Sequence, residues 1–160
     1  MTKYTNPSHQ KKSRRGTARC DFCDKSIKVG ETYWKFEVKF RAIQRRCEEH
    51  PFRMSDKAQG RNAEVYAVQE YLEDWINGKD QTEISELLEG AKTDLENTAD
   101  EYENGIPETI STFIQDETQE KVDMIRSGMD KIDELLPVVK TKSRDDQETE
   151  VQEIIDELAI

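Results

Sequence analysis

Apolar and polar positions change their period near residue 60. From Tyr33 to Arg41 they alternate. Trp34, Phe36, Val38 and Phe40 fall on one side, and Tyr33, Lys35, Glu37, Lys39 and Arg41 on the other. A period of two predicts a half-buried strand, here with a mostly basic open face. "KVGET", Lys28 to Thr32, puts a glycine between short apolar stretches and predicts a tight turn before the strand. Residues 1–18 are polar and basic with no period, the pattern of a disordered basic arm.

Beyond residue 60 the apolar positions recur at three and four. Val65, Val68, Leu72, Trp75 and Ile76 predict a first helix over about 62–77, capped by Asn62 and ended by Gly78. Ile84, Leu87, Leu88, Ala91, Leu95, Ala99 and Tyr102 predict a second, from near Thr82 to near Gly105. "ENGIPE" then breaks the pattern. Gly105 suits a left-handed helix end and Pro107 the first turn of a new helix. Ile110, Phe113, Ile114, Val122, Ile125, Met129, Ile132 and Leu136 carry a third helix to Pro137. So short a break predicts an antiparallel hairpin. At ~1.5 Å per residue the second helix is about 33 Å long and the third about 44 Å, so the third overshoots by roughly 10 Å. Ile132, Leu135 and Leu136 then need a cover, which the first helix or a second copy of the chain would supply. The expectation is a homodimer through helix 108–136. Residues 138–160 read as an acidic linker and a short helix with Val151, Ile154, Ile155 and Leu158 as its stripe. A helix that short is ordered only if docked.

Composition sharpens this outline. Only 34% of the 160 residues are hydrophobic and 37% are charged, which fits long helices with narrow stripes better than a thick core. No run approaches the ~20 apolar residues of a membrane span. The net charge of −11 conceals a division. Residues 1–60 carry 15 Lys+Arg and 7 Asp+Glu, a net +8; residues 61–160 carry 9 and 28, a net −19. A basic head is joined to an acidic tail.

All three cysteines lie in the head, as Cys20-x-x-Cys23 and Cys47-x-x-His50. Two knuckles of soft donors at this spacing predict one structural Zn2+ per chain, in a reducing compartment. Four protein ligands leave no open position for reacting water. The His-x-Glu and His-Glu-x-x-His frames are missing, and the one other histidine, His9, lies in the arm. An enzyme is therefore not expected. The metal's role is to hold a module of about 35 residues that is too small for a core of its own.

"CDFCDKSIKVGETYWKF", "RRCEEHPFRMS" and "EVYAVQEYLED" together resemble a family of bacteriophage proteins. Those proteins share a CxxC, an IKxGExYxW turn and strand, an RCxxH or RCxxC pair, and a helix of VYxxQE type. "EYENGIPETI" is similar to their NMPE helix-hairpin turn. The likeness covers roughly residues 19–136. This chain departs from it at Lys35, after Trp34, and at Ile106, where methionine is usual. The resemblance implies a phage origin and hence the cytoplasm of an infected bacterium. It brings no activity with it.

The expected architecture is α+β. A disordered arm (1–18) and a treble-clef or zinc-ribbon-like module (19–60) precede a helical region with a long antiparallel hairpin (61–137) and an acidic end (138–160). Two functions compete. Nucleic acid would bind the basic head through Lys11, Lys12, Arg14, Arg15 and Arg19 of the arm, Tyr33, Lys35, Lys39 and Arg41 of the strand, and Arg45 and Arg46 beside the third ligand. Alternatively, the acidic hairpin would grasp a host or phage protein, or imitate DNA and so inhibit a host defence. Neither reading involves a membrane.

Overall fold

The structure, a computed structural model, describes residues 9–14, 16, 18–37, 42–58, 60–105 and 112–159. The chain is mixed α+β and divides into two compact units, Met1–Ala58 and Gln59–Ile160.

The N-terminal unit holds five short strands: β1 (His9–Lys12), β2 (Ala18–Arg19), β3 (Ser26–Ile27), β4 (Thr32–Phe36) and β5 (Gln44–Cys47). One turn of helix, α1 (Met54–Lys57), follows. β4 is the centre of an antiparallel sheet ordered β1-β4-β5, and β2 and β3 form a separate hairpin. β1 corrects the sequence reading, because residues 9–12 belong to the stretch expected to be disordered. Backbone pairing orders them, from His9 opposite Lys35 to Lys12 opposite Thr32. Such pairing asks nothing of side-chain hydrophobicity, so composition gave no sign of it. Ser13 continues the ladder by donating its N–H to Glu31 O at 2.9 Å and accepting from Gly30 N at 2.8 Å. Gly30 has φ +88°, the left-handed backbone expected in the "KVGET" turn. The central strand ends at Phe36, and the expected continuation through Val38, Lys39, Phe40 and Arg41 lies outside the described residues.

The second unit is helical: α2 (Asn62–Ile76), α3 (Ile84–Asn104), α4 (Thr112–Leu135) and α5 (Arg144–Glu157), with a 3-10 turn at Val139–Thr141. α2 and α4 each pack against both α3 and α5, so four helices enclose one core. The buried cluster contains the expected stripes, among them Leu72, Leu88, Leu95, Ile125 and Ile132. Gly78 ends α2 with φ +69°. Two expected caps differ. Arg61 occupies the N-cap of α2, while Asn62 is its first helical residue and accepts from Tyr102 Oη. Gly105 has φ −89°, so α3 does not end in a left-handed residue. The onset of the third helix, with Ile106, Pro107 and Ile110, lies outside the described residues.

The cover over the end of α4 is neither of the two expected. α5 is docked, with Val151, Ile154, Ile155 and Leu158 buried, and Ile132 and Leu135 are buried as well. Ser143 caps α5 by accepting from Asp146 N, and Asp145 and Asp146 suit the positive end of the helix. On one side, Gln69 Nε2 donates to Ile155 O at 3.1 Å, and the Arg144 guanidinium lies 3.5 Å from the Trp75 ring centroid. On the other, Glu157 accepts from Ser127 Oγ at 2.7 Å and pairs with Lys131 at 3.1 Å. The exposed seam that motivated a homodimer is therefore filled by the chain's own C-terminal helix. An acidic, weakly amphipathic segment was underrated as a cover because three or four well-placed apolar residues suffice to fill a groove.

Candidate metal centre

Cys20 follows β2 directly and opens the turn that leads to β3. The turn is tight: Asp24 donates its N–H to Cys20 O at 2.8 Å, and Cys20 donates to Lys25 O at 2.9 Å. Asp24 takes φ +56°, a conformation that aspartate tolerates better than most side chains. Cys23 sits in this turn and is exposed, whereas Cys20 is buried. Cys47 is the last residue of β5, and His50 closes the next turn by donating its N–H to Cys47 O at 3.0 Å. Two hydrogen bonds fasten the first turn to β5: Asp21 N donates to Arg45 O at 2.7 Å, and Arg45 N to Asp21 Oδ2 at 2.6 Å.

The four donor atoms of Cys20, Cys23, Cys47 and His50 lie within 4.8 Å of one another. Cys23 Sγ and Cys47 Sγ are 3.8 Å apart; His50 Nδ1 is 3.0 Å from Cys47 Sγ and 4.0 Å from Cys20 Sγ. A tetrahedral ion with sulfur at about 2.3 Å and nitrogen at about 2.0 Å sets S–S edges of about 3.8 Å and S–N edges of about 3.5 Å. The donor set and its spacing thus fit one metal ion.

The thiols are not equivalent. Burial opposes the Cys20 thiolate, but the amides of Cys47, Cys23 and Phe22 outweigh it and bring its pKa down to about 6. Burial, followed by the thiols of Cys20 and Cys23, pushes Cys47 up to about 11. Bound metal requires both as thiolates, so the folded site favours the ion-ready form of Cys20 and leaves the Cys47 proton for the metal to displace.

The sheet register distributes the basic residues. Lys11, Tyr33 and Cys47 form one row across β1, β4 and β5, and Lys35 lies opposite Arg45 in the next row on the same face. Lys35 is ion-paired with Glu37, whose carboxyl is held below its usual range by Lys35 first and by Lys11 in addition. Lys12 and Arg46 fall on the opposite face. Arg14 is exposed, and Arg19 is exposed in an ion pair with Asp24 at 2.9 Å. Arg15, Lys39 and Arg41 lie outside the described residues.

Arg46 corrects the expected basic surface. Its guanidinium forms a two-pronged pair with Asp56, both bonds 2.6 Å, and lies 4.5 Å from the Phe52 centroid and 5.3 Å from that of Phe22. With its side chain only 15% exposed, Arg46 ties α1 to the sheet instead of facing a ligand. Phe22 is the residue that the sequence reading passed over. It is 64% exposed, and its ring centroid is 4.6 Å from that of His50. The available signal was an aromatic between two ligand cysteines, where no strand or helix face can bury it.

Comparison of the chain with protein-family models, with curated proteins and with solved structures gives no match. Among the described residues no helix is long and apolar enough to cross a membrane.

Proposed function

We propose that the chain is a non-enzymatic bacteriophage accessory protein whose N-terminal unit is a zinc module that binds nucleic acid. The observation that carries this reading is the shared face of Lys11, Tyr33, Lys35 and Arg45 beside the metal ligand Cys47. Cations in adjacent rows around an aromatic suit a phosphate backbone with bases to stack. Three thiolates and an imidazole are the donors of a structural zinc site, and four of them complete its shell and leave no place for reacting water. A knuckle hairpin followed by a strand-end knuckle supports the treble-clef or zinc-ribbon comparison. For the helices, Lys92 pairs with Asp133 at 2.6 Å and Glu103 with Arg126 at 2.7 Å. Early α3 meets late α4, which supports the antiparallel hairpin. The phage origin, and with it the cytoplasm of an infected host, rests on the sequence resemblance.

The full chain is expected to bind labelled oligonucleotides with an affinity that falls steeply with salt. Lys11→Glu with Arg45→Glu should weaken it and flatten the salt slope by about 0.7 per lost contact on a single strand. Binding that ignores salt, or that survives both reversals, contradicts the proposal.

A second reading has its own observation. Glu86, Glu89, Glu96, Asp100 and Glu103 are exposed along the back of α3, and Asp116, Glu120, Asp123, Asp130 and Glu134 along α4. Such stripes favour a basic protein partner, or the imitation of DNA. Retention of a host protein by the full chain, free of nucleic acid, distinguishes this reading.

A further inference from the structure

Phe22 is the one exposed large aromatic among the described residues, and its setting is specific. It lies between two metal ligands in a turn fastened to β5 through Asp21 and Arg45, and its ring meets the imidazole of a third ligand. The ring is therefore held in place with most of its surface open. Its ring lies against an imidazole and a guanidinium. A protein-docking patch needs contiguous apolar area, and the other exposed large hydrophobic side chain among the described residues of this unit is Val29. An exposed π face held in place by the turn suits a nucleobase instead.

Of the carboxylates nearby, Asp24 is paired with Arg19 at 2.9 Å and Glu49 with Lys25 at 3.2 Å, and Asp21 accepts from Arg45 N. Cys47, in the sheet row of Lys11 and Tyr33, has His50 Nδ1 3.0 Å from its Sγ, and the His50 ring in turn meets Phe22. Lys35 and Arg45 lie in the adjoining row.

We infer that Phe22 is a stacking platform for an unpaired base, so that the N-terminal unit selects single-stranded over duplex nucleic acid. This rests on the nucleic-acid reading above. In a duplex the base faces are already stacked on one another; only a single strand can offer one to the ring. The phosphates supply the salt-dependent part of the affinity, and the ring supplies a part that salt does not screen.

The test titrates the metal-loaded full chain with labelled DNA and RNA single strands of one mixed sequence and with the DNA duplex. At least one single strand should bind more tightly than the duplex. Phe22→Ala should lower that affinity about tenfold or more, the scale of one stacked base, with metal content and salt slope unchanged. Phe22→Leu keeps apolar bulk against His50 without a π face and should lose nearly as much, and Phe22→Trp should bind at least as well as the parent. If Phe22→Ala loses metal, the Leu and Trp variants decide. Single-strand binding that the Leu variant retains in full, or a duplex bound at least as tightly as both single strands, overturns the inference while leaving the nucleic-acid reading in place. No binding to any of the three, at low salt and with metal bound, overturns both.

Discussion

Stripping the metal from the full chain is expected to unfold the N-terminal unit and leave the helices intact. Its described buried side chains, apart from ligand cysteines and Ser13, are Ile27, Phe36 and Phe52. Three buried apolar side chains are too few to hold a unit of this length against the entropy of ordering its backbone. Structural zinc is worth about 10–16 kcal/mol in small peptides, as much as the entire stability of a typical domain. The helical cluster, from Val65 to Leu158, does not draw on it. Chelation, or Cys47→Ser, should therefore abolish amide protection in β1, β4 and β5 while α3 and α4 stay protected. Helical circular dichroism should change little. Strands that stay protected without metal, or helices lost in step with them, contradict this division.

Leu158→Ala is expected to destabilise the helical unit by about 2–5 kcal/mol, although the residue is only the C-cap of α5. Leu158 is fully buried, and it occupies the space that the missing side chain of Gly128 leaves open: a Cβ there would stand 2.8 Å from Leu158 Cδ2. Truncation to alanine leaves a cavity between α4 and α5 where the wild type has a fitted contact. For a unit of this size the unfolding midpoint should drop by about 10 °C or more. Ala159→Ser, at the exposed neighbour, should stay within about 0.5 kcal/mol of the parent. A midpoint indifferent to Leu158→Ala means that α5 does not cover α4, and the case for a second copy on Ile132 and Leu135 returns.

The sequence by itself determined whatever depends on periodicity or donor spacing. Val65, Val68, Leu72 and Trp75 in α2, and Leu88, Ala91, Leu95 and Ala99 in α3, are buried as their three-and-four recurrence requires, because a helix turns its neighbours away from the core at a fixed angle. Cys20, Cys23, Cys47 and His50 were legible as one site because two knuckles offer four donors wherever the chain between them runs. The two-residue period likewise placed Tyr33 and Lys35 on one face of a strand. Only the tertiary structure decided what lies beside these elements. β1 is built by backbone hydrogen bonds that no side-chain pattern announces. Arg46 was drawn inward by Asp56 and two phenylalanine rings, partners set by the fold, so its charge alone could not tell a surface cation from an internal tie. The cover on α4 came from α5, whose few apolar residues gain their worth from the groove that Gly128 leaves for Leu158. Periodicity records which side of an element is apolar; the identity of the surface that meets it is a long-range contact, and such contacts are settled only when the whole chain packs.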